Sequence, residues 1–336
     1  MRTNGFEKPW NGMQITTWLL LPILLIHFLM CLTPTLPKAL SAPLTIAYII
    51  SAFAAMRYGY ITTKTDAIDH LLYKHKYGAA HPSATSQSSS SNVEEADTKY
   101  CWVCQTNVYN QSMHCKYCDK CVGVFDHHCM WLNTCIGTEN YRDFFRTVVW
   151  TFVFVSIHVG TIATQLGLYF VDNRTIRRLA SEWFNADVDI VLVGINIGML
   201  VFTASTAFMV LQLLVFHIGL QREGVTTYQY IIRDTAEKRD KSIFVNKVRQ
   251  RRIEELEKSG SAGEAFVLKM GALACCTSCD PVRRLVLQEM EHQDTLNSME
   301  GRHSSAGNVK IERSYSDASS KDELKDNPGE KHLNTL

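Results

Sequence analysis

The sequence predicts an all-α polytopic membrane protein: four transmembrane helices, with a cysteine-rich domain between the second and the third. Three observations predict it. Apolar residues are 46% of the 336-residue chain and collect in four long runs. Seven of the eleven cysteines fall between Cys101 and Cys135, in the polar loop that joins the second run to the third. Lys and Arg concentrate in the termini and in that same loop, which sets an orientation.

Residues 1–14 precede the first run, Ile15–Leu32, which carries no charge over close to the roughly 20 residues a helix needs to cross a bilayer core. Its Pro22 is tolerable in a membrane helix. Arg2 and Lys8 ahead of the run would also suit a signal peptide, but no small-x-small cleavage site follows and three more runs do. The second run, Leu40–Met56, follows a turn through Pro34 and Pro37, so residues 15–56 are expected as transmembrane helices 1 and 2, with Tyr58 and Tyr60 at the interface end. Residues 57–98 form a linker containing SATSQSSSSN, and 99–146 the cysteine-rich domain. Transmembrane helix 3 is expected over 147–171, a short loop over 172–187 and transmembrane helix 4 over 188–216. The tail, 217–336, is expected to be largely disordered after about residue 282.

Four spans leave both termini and the 57–146 loop on one side, and the positive-inside rule makes that side the cytosol. The loop after the third span then faces the lumen with the sequon Asn173-Arg174-Thr175, although Arg174, Arg177 and Arg178 there run against the charge rule. A second sequon, Asn110-Gln111-Ser112, would stay unmodified in the cytosol. The formal net charge of +1 supplies no basic field for nucleic acid.

The cysteine-rich segment reads C-x2-C-x9-H-C-x2-C-x2-C-x4-D-H-H-C-x5-C from Cys101 to Cys135. Two Cys-x2-Cys knuckles, Cys101 with Cys104 and Cys115 with Cys118, aim paired thiolates at a tetrahedral ion, which points to zinc rather than disulfides. Seven cysteines and three histidines make ten candidate ligands, whereas two closed zinc sites need about eight. A surplus of one cysteine and one histidine would place a thiol beside an imidazole, the arrangement of an activated nucleophile. Spacing leaves open which residues are spare; the D-H-H-C run is where a carboxylate, Asp126, is also to hand.

The cluster, the four runs and the exit sequence WLNTCIGTENYRDFF together resemble the DHHC-type protein S-acyltransferases, a family of membrane palmitoyltransferases, over roughly residues 1–232. The opening NGFEKPWNGMQITTWLLLPI and TTYQYI at Thr226–Ile231 are similar to the branch that holds the animal family members numbered one and eleven. The resemblance implies one structural zinc on Cys101, Cys104, His114 and Cys121 and another on Cys115, Cys118, His128 and Cys135. It leaves Cys129 as nucleophile, His127 as its base and Asp126 orienting His127, with Thr227 touching the Asp. It further implies palmitoyl-CoA or another long-chain acyl-CoA as donor, cysteines of membrane-associated proteins as acceptors, and an ER or Golgi membrane with the catalytic domain in the cytosol. The sequence departs from the family at Tyr109 and Gln111, where Pro and Arg are usual, and at Gln229, where Glu is usual; Asn246 is the candidate for a C-terminal Asn-aromatic segment.

The charged stretch from Arg233 to Lys258 reads as a solvated helix, and Cys275, Cys276 and Cys279 as candidate acylation sites. The competing function is a non-catalytic, membrane-anchored zinc module acting as an adaptor or scaffold; a cross-braced ubiquitin ligase is a third. Neither uses a spare Cys-His pair.

Overall fold

The computed structural model describes residues 1–78 and 97–271. The Ser-rich linker, Cys275, Cys276, Cys279 and the remainder of the tail lie outside the described residues. Residues Met1–Asp234 form one compact unit and Thr235 onward a second.

Helix α1 (Gly12–His27) opens on Asn11, whose side chain accepts from Met13 N at 2.8 Å, and it continues through a π-turn, Phe28–Leu32, and a 3-10 turn, Thr33–Thr35. Helix α2 (Lys38–Lys64) follows Pro37 and runs beyond the apolar stretch ending at Met56. After the short α3 (His70–Tyr77) and the cysteine-rich domain come α4 (Tyr141–Val171), α5 (Asn173–Phe184) and α6 (Asp189–Glu223). The segment through α1 to Thr35, α2, α4 and α6 are each long and apolar enough to cross a membrane. Phe53, Ile46, Val201 and Phe208 point outward, as lipid-facing residues do, while Phe28, Tyr48, Phe154 and Ile162 form the core between helices.

A run of buried polar side chains threads that core and touches all four long helices. His27 Nε2 meets Asn196 Oδ1, an acceptor, at 2.9 Å, so Nε2 carries the proton and Nδ1 accepts from His158 Nε2 at 3.1 Å. His158 Nδ1 then accepts from the Tyr48 hydroxyl at 2.8 Å. Asn196 donates to Gln165, Gln165 donates to Thr35 Oγ1 at 2.8 Å, and Thr35 donates to the Cys31 carbonyl at 2.7 Å. With these tautomers every donor points the same way and each histidine ring nitrogen has a partner, which is how polar groups are accommodated in hydrocarbon.

The expected loop 172–187 contains a helix. Ile176 and Ala180, four residues apart, are buried on one side of α5, while Arg174, Arg177 and Arg178 face out. Helix α7 (Thr227–Lys258) starts two residues beyond Val225, after Gly224 closes α6 at φ 65°, and within the second unit its Val248, Ile253 and Leu256 pack on Ala265 and Leu268 of α8 (Ala262–Gly271). Asn246 lies in that unit and accepts from Arg249 at 3.2 Å.

The cysteine-rich domain is three antiparallel hairpins: β1 (Thr98–Cys101) with β2 (Thr106–Tyr109), β3 (Met113–Cys115) with β4 (Lys120–Val122), and β5 (His127–Cys129) with β6 (Thr134–Ile136). Two-stranded hairpins are marginal alone, and side chains bind these to their surroundings. Buried Asp69 caps α3 through Leu71 N and Leu72 N and also accepts from Tyr109 N at 3.1 Å and Ser112 Oγ at 2.5 Å. Ser112, the last residue of the Asn110 sequon, is thus fully buried. Asn140 donates to Cys135 O at 2.9 Å and Thr62 O at 3.3 Å, fixing the third hairpin to α2 at the start of α4.

Candidate active site and metal clusters

The three hairpins repeat one unit. Each first strand ends in a cysteine, and these recur every 14 residues at Cys101, Cys115 and Cys129. Each pairs with the residue that opens the second strand: Thr106, Lys120 and Thr134. Each turn ends in a left-handed residue, Gln105, Asp119 and Asn133, at φ 52°, 53° and 54°. The residue before it is Cys104 in the first unit and Cys118 in the second. In the third it is Leu132.

The second half of the unit supplies the other donors. His114 pairs across its hairpin with Cys121, and His128 with Cys135. The knuckle of one hairpin meets the His-Cys pair of the next, so Cys101, Cys104, His114 and Cys121 converge, as do Cys115, Cys118, His128 and Cys135, with donor atoms within 4.8 Å of one another in each group. Among the described residues no hairpin follows the third, and Cys129 belongs to neither group.

Both groups fit zinc. Tetrahedral bonds of about 2.3 Å to sulfur and about 2.0 Å to nitrogen place donors about 3.5 to 3.8 Å apart. In the first group Cys104 Sγ lies 3.7 Å from Cys121 Sγ and 3.3 Å from His114 Nδ1. In the second, His128 Nδ1 lies 3.7, 3.5 and 3.5 Å from the sulfurs of Cys115, Cys118 and Cys135. Hydrogen bonding among the thiols points the same way: Cys118 and Cys135 pull Cys115 well down, while Cys115 pushes the Cys118 thiol up to about 11 and Cys115 and Cys118 push Cys135 up. Three sulfurs this close ionise together only around a cation. With four protein donors each, both sites are closed, the form of structural zinc.

Asp126, His127 and Cys129 lie on and beside β5. His127 Nδ1 stands 2.6 Å from Asp126 Oδ2, and Asp126, 2% exposed, also accepts from Thr227 N and Thr227 Oγ1, both at 2.8 Å. The Thr227 donors come from the first turn of α7, whose dipole favours a carboxylate. Gln229 keeps that turn closed: its Oε1 accepts from Thr226 N at 2.9 Å while its own N donates to Thr226 Oγ1 at 3.2 Å, a capping box that an amide completes as well as a carboxylate.

Burial would pull the His127 imidazole down, but the Asp126 carboxylate, with the adjoining Cys129, outweighs it and raises His127 to about 9. Burial pushes the Asp126 carboxyl up; its bonds to His127 and Thr227 prevail and hold it below the ordinary 3.8. The imidazole is thereby a strong proton acceptor fixed in one tautomer, with Nδ1 on the carboxylate.

Cys129 packs with Ile136, Phe144 and Val148, and partly buried Val210 and Leu214 join them, so the thiol stands over an apolar seam between α4 and α6. His217, which sequence reasoning missed, lies at this seam. It is 1% exposed, its Nδ1 is 3.2 Å from the Tyr141 hydroxyl, and its ring lies 5.9 Å from His127 and 5.1 Å from Phe144. A single histidine inside the apolar run VFHIGL reads as core; only its spacing from Thr227, with the intervening helix end at Gly224, would have brought it forward.

Residues 94–234 match the family model described as DHHC palmitoyltransferase. The chain is 29% identical over 266 residues to human palmitoyltransferase ZDHHC11, covering 73% of this chain and 63% of that one. It is 28% identical to human probable palmitoyltransferase ZDHHC11B, covering 73% and 70%. To the Arabidopsis thaliana probable protein S-acyltransferase 20 it is 34% identical over 146 residues, 42% of this chain and 20% of that one.

Proposed function

We propose, from the match of residues 94–234 to the DHHC palmitoyltransferase family model, that this chain is a protein S-acyltransferase working through an acyl-cysteine at Cys129. The observation that carries the proposal is the position of Cys129, outside both four-donor clusters and beside a His127 whose Nδ1 is held by Asp126.

In the first step the Cys129 proton is already held on His127 Nε2, beside the Asp126 carboxylate, and the Cys129 thiolate attacks the thioester carbon of a long-chain acyl-CoA. The new sulfur–carbon bond forms, the bond to CoA breaks, and His127 returns the proton to the departing CoA thiolate. In the second step His127 accepts the proton of a substrate cysteine, whose sulfur takes the acyl group and frees Cys129. Asp126 and Thr227 hold the imidazole through both steps. Cys101, Cys104, His114 and Cys121 would hold one zinc and Cys115, Cys118, His128 and Cys135 the other, each tying two hairpins together. The apolar seam below Cys129 suits an acyl chain, each buried CH₂ contributing about 0.8 kcal/mol.

We place this domain and both termini on the cytosolic face of an ER or Golgi membrane, with membrane-associated proteins bearing cytosolic cysteines as acceptors. Arg174, Arg177 and Arg178 in the opposite loop still run against the charge rule; Arg177 pairs with Asp189 at 2.8 Å and Arg178 with Glu182 at 3.9 Å.

Purified protein incubated with labelled palmitoyl-CoA tests the proposal. Hydroxylamine-labile label should appear on Cys129, and Cys129→Ser should abolish it with two zinc ions per chain retained. Transfer at full rate by Cys129→Ser would reject the acyl-cysteine mechanism, and an unaltered protein that takes up no label would leave the non-catalytic zinc scaffold as the better reading.

A further inference from the structure

The N-terminal sequence NGFEKPWN, ahead of α1, lies against the turn that follows Cys129. Asn133, which ends that turn at φ 54°, is 3% exposed; its amide donates to Gly5 O at 3.3 Å and Pro9 O at 3.1 Å, and its own carbonyl accepts from the Arg2 guanidinium. Gly5 is the centre of the contact. A Cβ placed there would overlap the Leu132 carbonyl and come within 2.7 Å of Thr63 Cγ2, so only glycine permits this approach. Gly5 N donates to Thr63 O at the end of α2 at 2.9 Å, and buried Gln14 in the first turn of α1 donates to Gly5 O at 2.8 Å.

These bonds join three parts distant in sequence: the turn of the third hairpin, the end of α2 and the start of α1. The first two hairpins carry a cysteine on each side of their turn, at Cys101 and Cys104 and at Cys115 and Cys118, and both go to one metal cluster. The third turn has Leu132 in place of the second cysteine and lacks that tether.

We propose that residues 2–11 are a positioning clamp for the Cys129 turn, doing by hydrogen bonds and close backbone packing what a metal ion does for the other two. The clamp fixes the height of the nucleophile over the α4–α6 seam. Arg2, Gly5 and Asn133 are positioning residues that act through the turn. The inference rests on the acyl-accepting role of Cys129 proposed above.

The test is a double-mutant cycle in the full chain. Asn133→Asp keeps the side chain's size and its tolerance of left-handed backbone but removes both N–H donors; Gly5→Ala wedges the strap away from Leu132. Each should lower the kcat of Cys129 acylation at least about tenfold, with the KM for palmitoyl-CoA within about twofold and the zinc content unchanged. The double variant should be no worse than the weaker single one, because both break the same contact. Amide hydrogen exchange at residues 130–133 should rise in each. Additive losses, zinc loss in step with activity, or unchanged kcat would overturn the proposal. If Gly5→Ala does not fold, Arg2→Met takes its place in the cycle. Should the unaltered protein fail to acylate Cys129, the reading of Cys129 fails by itself; the clamp is then judged by exchange, and unchanged protection at 130–133 in the variants sinks it.

Discussion

His127 and Asp126 hold each other in opposite charge states over a wide pH range. The Asp126 carboxyl lies below its ordinary 3.8, so its contribution to stability is present above that value and is lost as pH falls through the depressed one. His127, raised to about 9, contributes fully below its ordinary 6.5 and loses the contribution as pH rises through about 9. The pair is therefore intact at neutral pH. Asp126→Asn removes what stabilises the proton on His127, which makes transfer from thiol to imidazole less favourable. Acylation should slow by about 10²-fold, and the rising limb of its pH profile should move to higher pH; a profile that falls uniformly without moving would contradict this. The D-H-H-C run was legible in sequence because ligand counting left one thiol and one imidazole over. The Thr227 bonds were reachable by resemblance alone, for no spacing rule joins residues 126 and 227. Gln229 departs from the family's Glu, and its amide closes a capping box with Thr226.

Among elements, the hairpin repeat gives the spare cysteine a structural cause. Cys129 occupies the position that Cys101 and Cys115 hold in their units, but its partner position is Leu132 and among the described residues no later hairpin offers a His-Cys pair. Leu132→Cys should restore the knuckle. Its protein is expected to take up thiophilic Cd²⁺ beyond the two structural equivalents and to lose acylation, both measurable on one sample; full acylation with no added metal would argue against the repeat. The recurrence every 14 residues is in the sequence, but it is masked because few residues besides the cysteines and one histidine position repeat. The four long helices were legible as apolar runs. Their ends were not, since α2 extends through Arg57 to Lys64 and α6 through Gln221 to Glu223, where polar side chains leave the membrane without breaking the helix. Helix α5 escaped notice because two small and apolar contacts, Ile176 and Ala180, sufficed to dock it. The buried polar chain ties α1, α2, α4 and α6 together, and Asn196→Leu strands His27 Nε2 and Gln165 Oε1 without partners. Unfolding in detergent should show a loss of about 0.6 to 1.7 kcal/mol; unchanged stability would mean the chain is not a helix–helix tie.

For the whole molecule, the sites lie where the membrane bundle and the cysteine-rich domain meet. Cys129 stands over Phe144 and Val148 of α4, Asn140 binds the third hairpin to α2, and Thr227 reaches Asp126 from beyond the fourth long helix. The four long apolar helices follow from apolar runs, which one sequence carries in full; the convergence of residues 5, 129, 217 and 227 does not, because it is made by packing. The central claim is that two metal ions use six cysteines and two histidines and leave Cys129 free. Zinc X-ray absorption on the unaltered protein and on Cys129→Ala tests it most directly. Two zinc ions per chain with an average first shell of three sulfurs and one nitrogen, identical in both proteins, is the predicted result. A lower sulfur count or a lost ion in Cys129→Ala would make Cys129 a ligand and contradict the account.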